Sequence, residues 1–188
     1  MPQYGARVEY AVHTLLNLSL APASTAPSAR DLSDFQRLPM AFMRKVLTQL
    51  EKSGLIVAAE GVHGGWRLAR PPSEITLLQI VDAAQGDDPL FACREIRARC
   101  ALWPDDAPPP GARSGVCEIH AAMLAAEAAM REELARRTLA DIAGRVAAKS
   151  PRFVAQDVPG WFEDRFAGRV GRASGESSGR RGRRARRR

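Results

Sequence analysis

The chain has 188 residues, of which 45% are hydrophobic but only 6% aromatic. This length suits one main domain plus an extension, with a core built on Leu, Val, Ile, Met and Ala. The net charge of +7 is not a property of the body: Arg180 to Arg188 holds seven arginines and no acid, leaving 21 basic against 21 acidic residues elsewhere. A nucleic-acid partner therefore cannot be argued from overall charge. No run of about 18 apolar residues marks a membrane span. The N-terminus lacks a charged-then-apolar leader, so a cytoplasmic chain is expected. Three cysteines in a reducing compartment argue against a disulfide framework.

In chain order, Val8 to Leu20 reads as a helix ended by Pro22 and Pro27. Ser28 caps a second helix, Ala29 to about Phe35. Pro39 opens a third, running to Ser53 on Phe42, Met43, Val46, Leu47 and Leu50, an i, i+3, i+4 stripe ended by Gly54. Leu55 to Glu60 and Trp66 to Ala69 read as strands around the turn Gly61-Val62-His63-Gly64-Gly65. Thr76 starts a fourth helix that ends at Gly86. Asp87 to Val116 reads as a long loop, and loops of that length are functional or disordered. From Cys117 to Ala148 the pattern predicts one long helix, with Ile119, Met123, Ala126, Met130, Leu134, Ile142 and Val146 on one stripe. Such a stripe needs a partner surface, most simply a second copy of the chain. Beyond Pro151, Trp161, Phe162 and Phe166 are docking candidates. The Gly, Ser and Arg composition after about Gly168 predicts disorder.

The expected fold class is mainly α: a winged helix-turn-helix with a long C-terminal dimerisation helix. Four segments are expected: a DNA-binding domain over 1–86, a ligand-holding loop over 87–116, a dimerisation helix over 117–150 and an extension over 151–188. The third helix would enter the major groove of double-stranded DNA, presenting Met40, Ala41, Arg44 and Lys45. Arg44 suits bidentate contact with guanine and Lys45 a phosphate. On the wing, His63 and Arg67 are within reach of phosphate or the minor groove. Ser28 to Pro72 carries seven basic and four acidic residues, a modest excess. The order of elements is therefore the stronger sign, against the plainer reading of a helical module with an ordinary solvated surface.

Several motifs here resemble one family. Leu47-Thr48-Gln49-Leu50-Glu51-Lys52-Ser53-Gly54-Leu55-Ile56, Gly64-Gly65-Trp66-Arg67-Leu68-Ala69-Arg70-Pro71-Pro72 and Glu74-Ile75-Thr76-Leu77 look like the iron–sulfur regulators of the IscR/NsrR/RsrR type. Thr138-Leu139-Ala140-Asp141 is similar to the motif that ends their dimerisation helix. The resemblance covers about residues 4 to 148. It implies a homodimeric DNA-binding regulator with a cluster loop between wing and dimerisation helix. One departure is Glu60, where that family often has a wing arginine.

Two ligand sets for a cluster stand side by side. Cys93, Cys100, Cys117 and His120 resemble the IscR arrangement, although six and sixteen residues separate the cysteines. Glu9 and His13, at i, i+4 on the first helix, project together. With Cys93 and Cys117 they resemble the redox-sensing RsrR-like subgroup. There, the resemblance implies, a [2Fe–2S] cluster is held by two cysteines of one subunit and a Glu and His of the other. This set is preferred, with [2Fe–2S] favoured over [4Fe–4S], and Cys100 and His120 kept as alternative ligands. Plainer readings are a surface Glu9–His13 pair, a buried Cys100 and a solvated His120. Other classes are a metal-free winged-helix regulator, a thiol-based redox switch, or an enzyme using a cysteine nucleophile. No phosphate loop, serine motif or carboxylate pair supports an enzyme.

Overall fold

The computed structural model describes residues 5–60, 64–86, 91–99, 101, 103, 107–109, 111 and 114–184, with backbone alone for 98, 99 and 172–184. Helix α1 (Ala6–Leu20) turns Val8, Ala11, Leu15, Leu16 and Leu18 into the core. Helix α2 (Ala29–Gln36) begins with a reciprocal capping box. Ser28 accepts from the Asp31 amide (3.2 Å), and the Asp31 carboxylate accepts from the Ser28 amide (2.9 Å). It ends at Arg37, in the left-handed region at φ 52°. Helix α3 (Met40–Lys52) follows, with Met43, Val46, Leu47 and Leu50 buried along the stripe read from the sequence. Phe42 departs from that reading: it is exposed at 41%, with its ring edge-on to Tyr10 of α1 at 5.8 Å.

Strands β1 (Ile56–Ala58) and β2 (Trp66–Leu68) pair antiparallel, Ile56 opposite Leu68 and Ala58 opposite Trp66. The base of this wing is wedged against the chain before α2. Trp66 donates its amide to the Pro27 carbonyl (2.9 Å), and a Cβ at Gly65 would lie 1.9 Å from the Ala26 carbonyl oxygen. Only glycine allows that approach. Helix α4 (Leu77–Gln85) starts at a second capping box, Thr76 with Gln79, and buries Ile80, Val81 and Ala84.

The single helix expected from Cys117 to Ala148 is corrected to two, α5 (Glu118–Ala135) and α6 (Leu139–Lys149). A third capping box makes the break: Thr138 accepts from the Asp141 amide, and the Asp141 carboxylate accepts from the Thr138 amide and hydroxyl. The freed backbone finds partners at the start of α4, Leu77 donating to Arg137 and Leu139 to Ile75, both at 2.8 Å. Leu139 and Ile75 are fully buried there.

The expectation of an unstructured extension is also corrected. A helical turn at Pro151–Arg152 and a π-helical stretch, Phe153–Asp157, lead into α7 (Val158–Arg184). Val158 and Phe162 are fully buried in the common core. Phe162 stacks on Phe35 at 5.1 Å and Trp161 meets the same ring edge-on at 5.0 Å, so the aromatic docking sites read from the sequence are used.

Candidate metal centre and nucleic-acid interface

The α2–turn–α3 unit is fixed from inside. Ser33 donates its hydroxyl to the Leu38 carbonyl (2.6 Å), and the Leu38 amide returns to the Ser33 carbonyl (3.0 Å). With the apolar side of α3 buried, Ala41, Arg44 and Lys45 face solvent and Met40 is half-buried. Strand β2 alternates as a strand must, Trp66 and Leu68 turned inward and Arg67 exposed. Arg44, Lys45 and Arg67 form no ion pair among the described residues, which leaves their donors for an anionic partner. His63 lies outside the described residues. The layout is a reading helix flanked by a wing, each with outward cations.

Helix α1 is tied to this reader by a link the sequence analysis did not single out. Thr14, fully buried, accepts from the Gln36 side-chain amide of α2 (3.0 Å), and its hydroxyl lies 3.8 Å from the Met43 sulfur of α3. A threonine in an apolar run was its only sequence signal. Buried polar groups need partners, so Thr14 fixes α1 against both helices of the reader.

Glu9 and His13 lie on α1 beside this link, both exposed. Neither makes a hydrogen bond or ion pair to another described residue. They border a groove of about 390 Å³ walled by Tyr10, Phe35, Leu38, Val146 and Phe153.

Cys93 and Cys117 are free thiols, each half-buried. Cys93 lies in the segment before a 3-10 turn at Ile96–Arg99, its sulfur 3.5 Å from the Glu95 amide. Cys117 is the N-cap of α5, and its side chain makes no capping bond. Arg97 draws the two together. Its guanidinium pairs with Glu95 (2.6 Å) and donates to the Gly115 carbonyl (3.2 Å). It is held above its ordinary pKa chiefly by the Glu95 hydrogen bond, with the Glu95, Cys117 and Cys93 charges adding to it. A cation and a helix N-terminus thus stand beside the sulfurs, complementing the negative charge of thiolate ligands. His120, half-buried in the first turn of α5, packs on Phe91 at 5.9 Å. Cys100 lies outside the described residues.

Within one chain the two donor pairs are separate: among the described residues no three His, Cys, Asp or Glu side chains converge. Helix α5 buries none of its 18 residues. Ile119 (64% exposed), Leu124 (47%) and Val116 (58%) leave an apolar face near the thiols without cover. The described helices include none long and apolar enough to cross a membrane.

A capped helix-turn-helix with a braced two-stranded wing defines a winged-helix DNA-binding regulator. The solved structures it matches have that fold: CymR, "the Global Cysteine Regulator of B. subtilis", has a TM-score of 0.59 at 17% identity, covering 77% of this chain and 98% of that one. T. potens IscR has a TM-score of 0.56 at 18% identity, covering 76% of this chain and 86% of the other. Residues 4–145 match the model of the Rrf2 family, described as iron-dependent transcriptional regulators, and the chain belongs to that family. A Mycobacterium tuberculosis protein described as an HTH-type transcriptional regulator is 32% identical over 139 residues, 74% of this chain and 80% of that protein.

Proposed function

We propose that this Rrf2-family transcriptional regulator acts as a homodimer that senses redox or iron–sulfur status in the cytoplasm. The sensor is a [2Fe–2S] cluster held between two copies, by Cys93 and Cys117 of one and by Glu9 and His13 of the other. The observation that carries the reading is the pair of exposed, unengaged donor sets, Glu9 with His13 and Cys93 with Cys117, in a chain whose α5 face lacks cover. Two thiolates suit cluster iron, and imidazole and carboxylate complete it while shifting its potential. Bound there, the cluster supplies a one-electron redox change.

The chain's own residues give that change a route to DNA. Tyr10, next to Glu9, meets Phe42 of α3, and Thr14, next to His13, is bonded to Gln36 and in contact with Met43. A displacement of α1 is therefore felt by both helices of the reader. Two half-sites one turn apart, about 34 Å, make dimer binding sensitive to small rotations.

Anaerobic purification with a visible spectrum and an iron count tests the ligand set. The native chain and Cys100→Ala are expected to be coloured and iron-loaded. His13→Ala, Cys93→Ala and Cys117→Ala are expected to lose the colour. Loss of the cluster in Cys100→Ala with retention in His13→Ala overturns this set in favour of Cys93, Cys100, Cys117 and His120. A colourless, iron-free native chain whose DNA affinity follows thiol oxidation points to a thiol switch.

A further inference from the structure

Helix α7 is anchored on the DNA-reading unit by more than its aromatic pair. One turn after Trp161 and Phe162, Arg165 lies over the Trp161 ring (5.2 Å) and pairs with Asp34 and with Asp31 (3.4 Å). A turn later, Arg169 pairs with Asp31 at 2.9 Å and donates to the carbonyls of Thr25 (2.9 Å) and Ala26 (3.0 Å). Asp31 is 3% exposed, so these are not the freely solvated pairs that count for little.

The same contacts give α7 a direction. It passes Phe35 near the end of α2, then Asp31 in its first turn, then the segment Thr25 to Pro27. That segment seats the wing: Ala26, at φ 38°, approaches Gly65 and Pro27 accepts from Trp66. Helix α7 therefore leaves the body beside the wing, and its helical backbone continues to Arg184. At ~1.5 Å per residue, Arg180 begins the arginine run about 16 Å beyond Arg169.

We propose that α7 is a docked arm that holds the seven-arginine tail beside the wing, where it grips phosphates of duplex DNA flanking the segment read by α3. Charge supports this occupant. Outside the tail the chain is formally neutral, and residues 28 to 72 carry only seven basic against four acidic residues. The phosphate attraction that usually dominates affinity has few sources in the body. The proposal rests on DNA binding by α3 and the wing, and is independent of the cluster.

The test measures affinity against salt for a labelled duplex of arbitrary sequence, and hydroxyl-radical footprints on the promoter of the protein's own gene. The proteins are the full chain, a chain ending at Gly179, Arg165→Ser/Arg169→Ser, and the two changes combined. Ending at Gly179 is expected to lower the slope of log affinity on log salt by roughly 0.9 per arginine that meets a phosphate, to at most about 6. The same truncation in the Arg165→Ser/Arg169→Ser background is expected to cost much less. The footprint is expected to extend past the α3 half-site on the wing side and to shrink when the tail is removed. An unchanged slope or footprint on truncation overturns tail contact. An equal loss in both backgrounds overturns delivery by the dock. If the double variant does not fold, the footprint of the chain ending at Gly179 decides alone. A full chain that binds neither duplex would instead sink the DNA-reading assignment.

Discussion

The reading half and the sensing half of this chain are built on opposite terms. Helix α3 buries four of its 13 residues, and α1, α2, α4 and the wing close over them. Helix α5 buries none of its 18, resting on α4 through partly buried Leu134 and a two-point Arg131–Asp82 pair (2.9 and 3.0 Å). One half is complete within a single chain. The other presents thiols and an apolar face that only a further surface can complete, which suits a sensor whose state must be felt across an interface.

Substitutions in the two halves should therefore fail in different ways. Leu47→Ala removes a side chain that is 1% exposed, and a core truncation of this kind costs about 2–5 kcal/mol. A marked fall in melting temperature is expected. A loss under about 1 kcal/mol would break the contrast from the reading side. Ile119→Glu touches a residue that is 64% exposed, so the melting of the single chain should move by no more than about 0.5 kcal/mol. Sedimentation is expected to show the dimer reduced to single chains. A dimer that survives Ile119→Glu places the interface elsewhere than on α5.

The reading half was legible because its signals are local. The stripe from Met43 to Leu50, the cap at Ser28 and the tight turn before Trp66 each act within a few residues. Phe42 shared the stripe's spacing yet faces Tyr10 at the surface, a contact between helices that periodicity cannot reveal. The break between α5 and α6 was missed because apolar positions run on through it. It depends on a backbone bridge from Thr138 to Thr76, far back in the chain. The dock of α7 was hidden by glycine and arginine composition, since it turns on two aromatic rings and on pairs to Asp31 more than a hundred residues away. In the site, the Glu9–His13 spacing was readable as one helical turn. The approach of Cys93 and Cys117 to one guanidinium was not, because Arg97 reaches Gly115 across the loop.

The elbow between α5 and α6 is where the two halves meet, and it offers the smallest and finest test. Thr138 serves both sides: its hydroxyl accepts from the Asp141 amide (3.1 Å) and donates to the Asp141 carboxylate (2.8 Å), while its backbone pairs with Thr76 at the start of α4. Replacing a threonine cap with alanine costs about 1 kcal/mol, so Thr138→Ala should lower stability by that much at neutral pH. The Asp141 carboxyl is held below the usual carboxylate range, first by the Thr138 amide and then by its hydroxyl. A depressed folded-state pKa stabilises fully above the unfolded value, and that contribution is lost as pH falls through the folded one. In the native chain, acidification therefore removes part of what the cap provides. In Thr138→Ala the hydroxyl's share is already gone. The gap between native and variant should narrow in denaturant titrations carried below the ordinary carboxylate pKa. A gap constant with pH would mean that Thr138 holds the elbow through its backbone bridge alone, with the side-chain box idle.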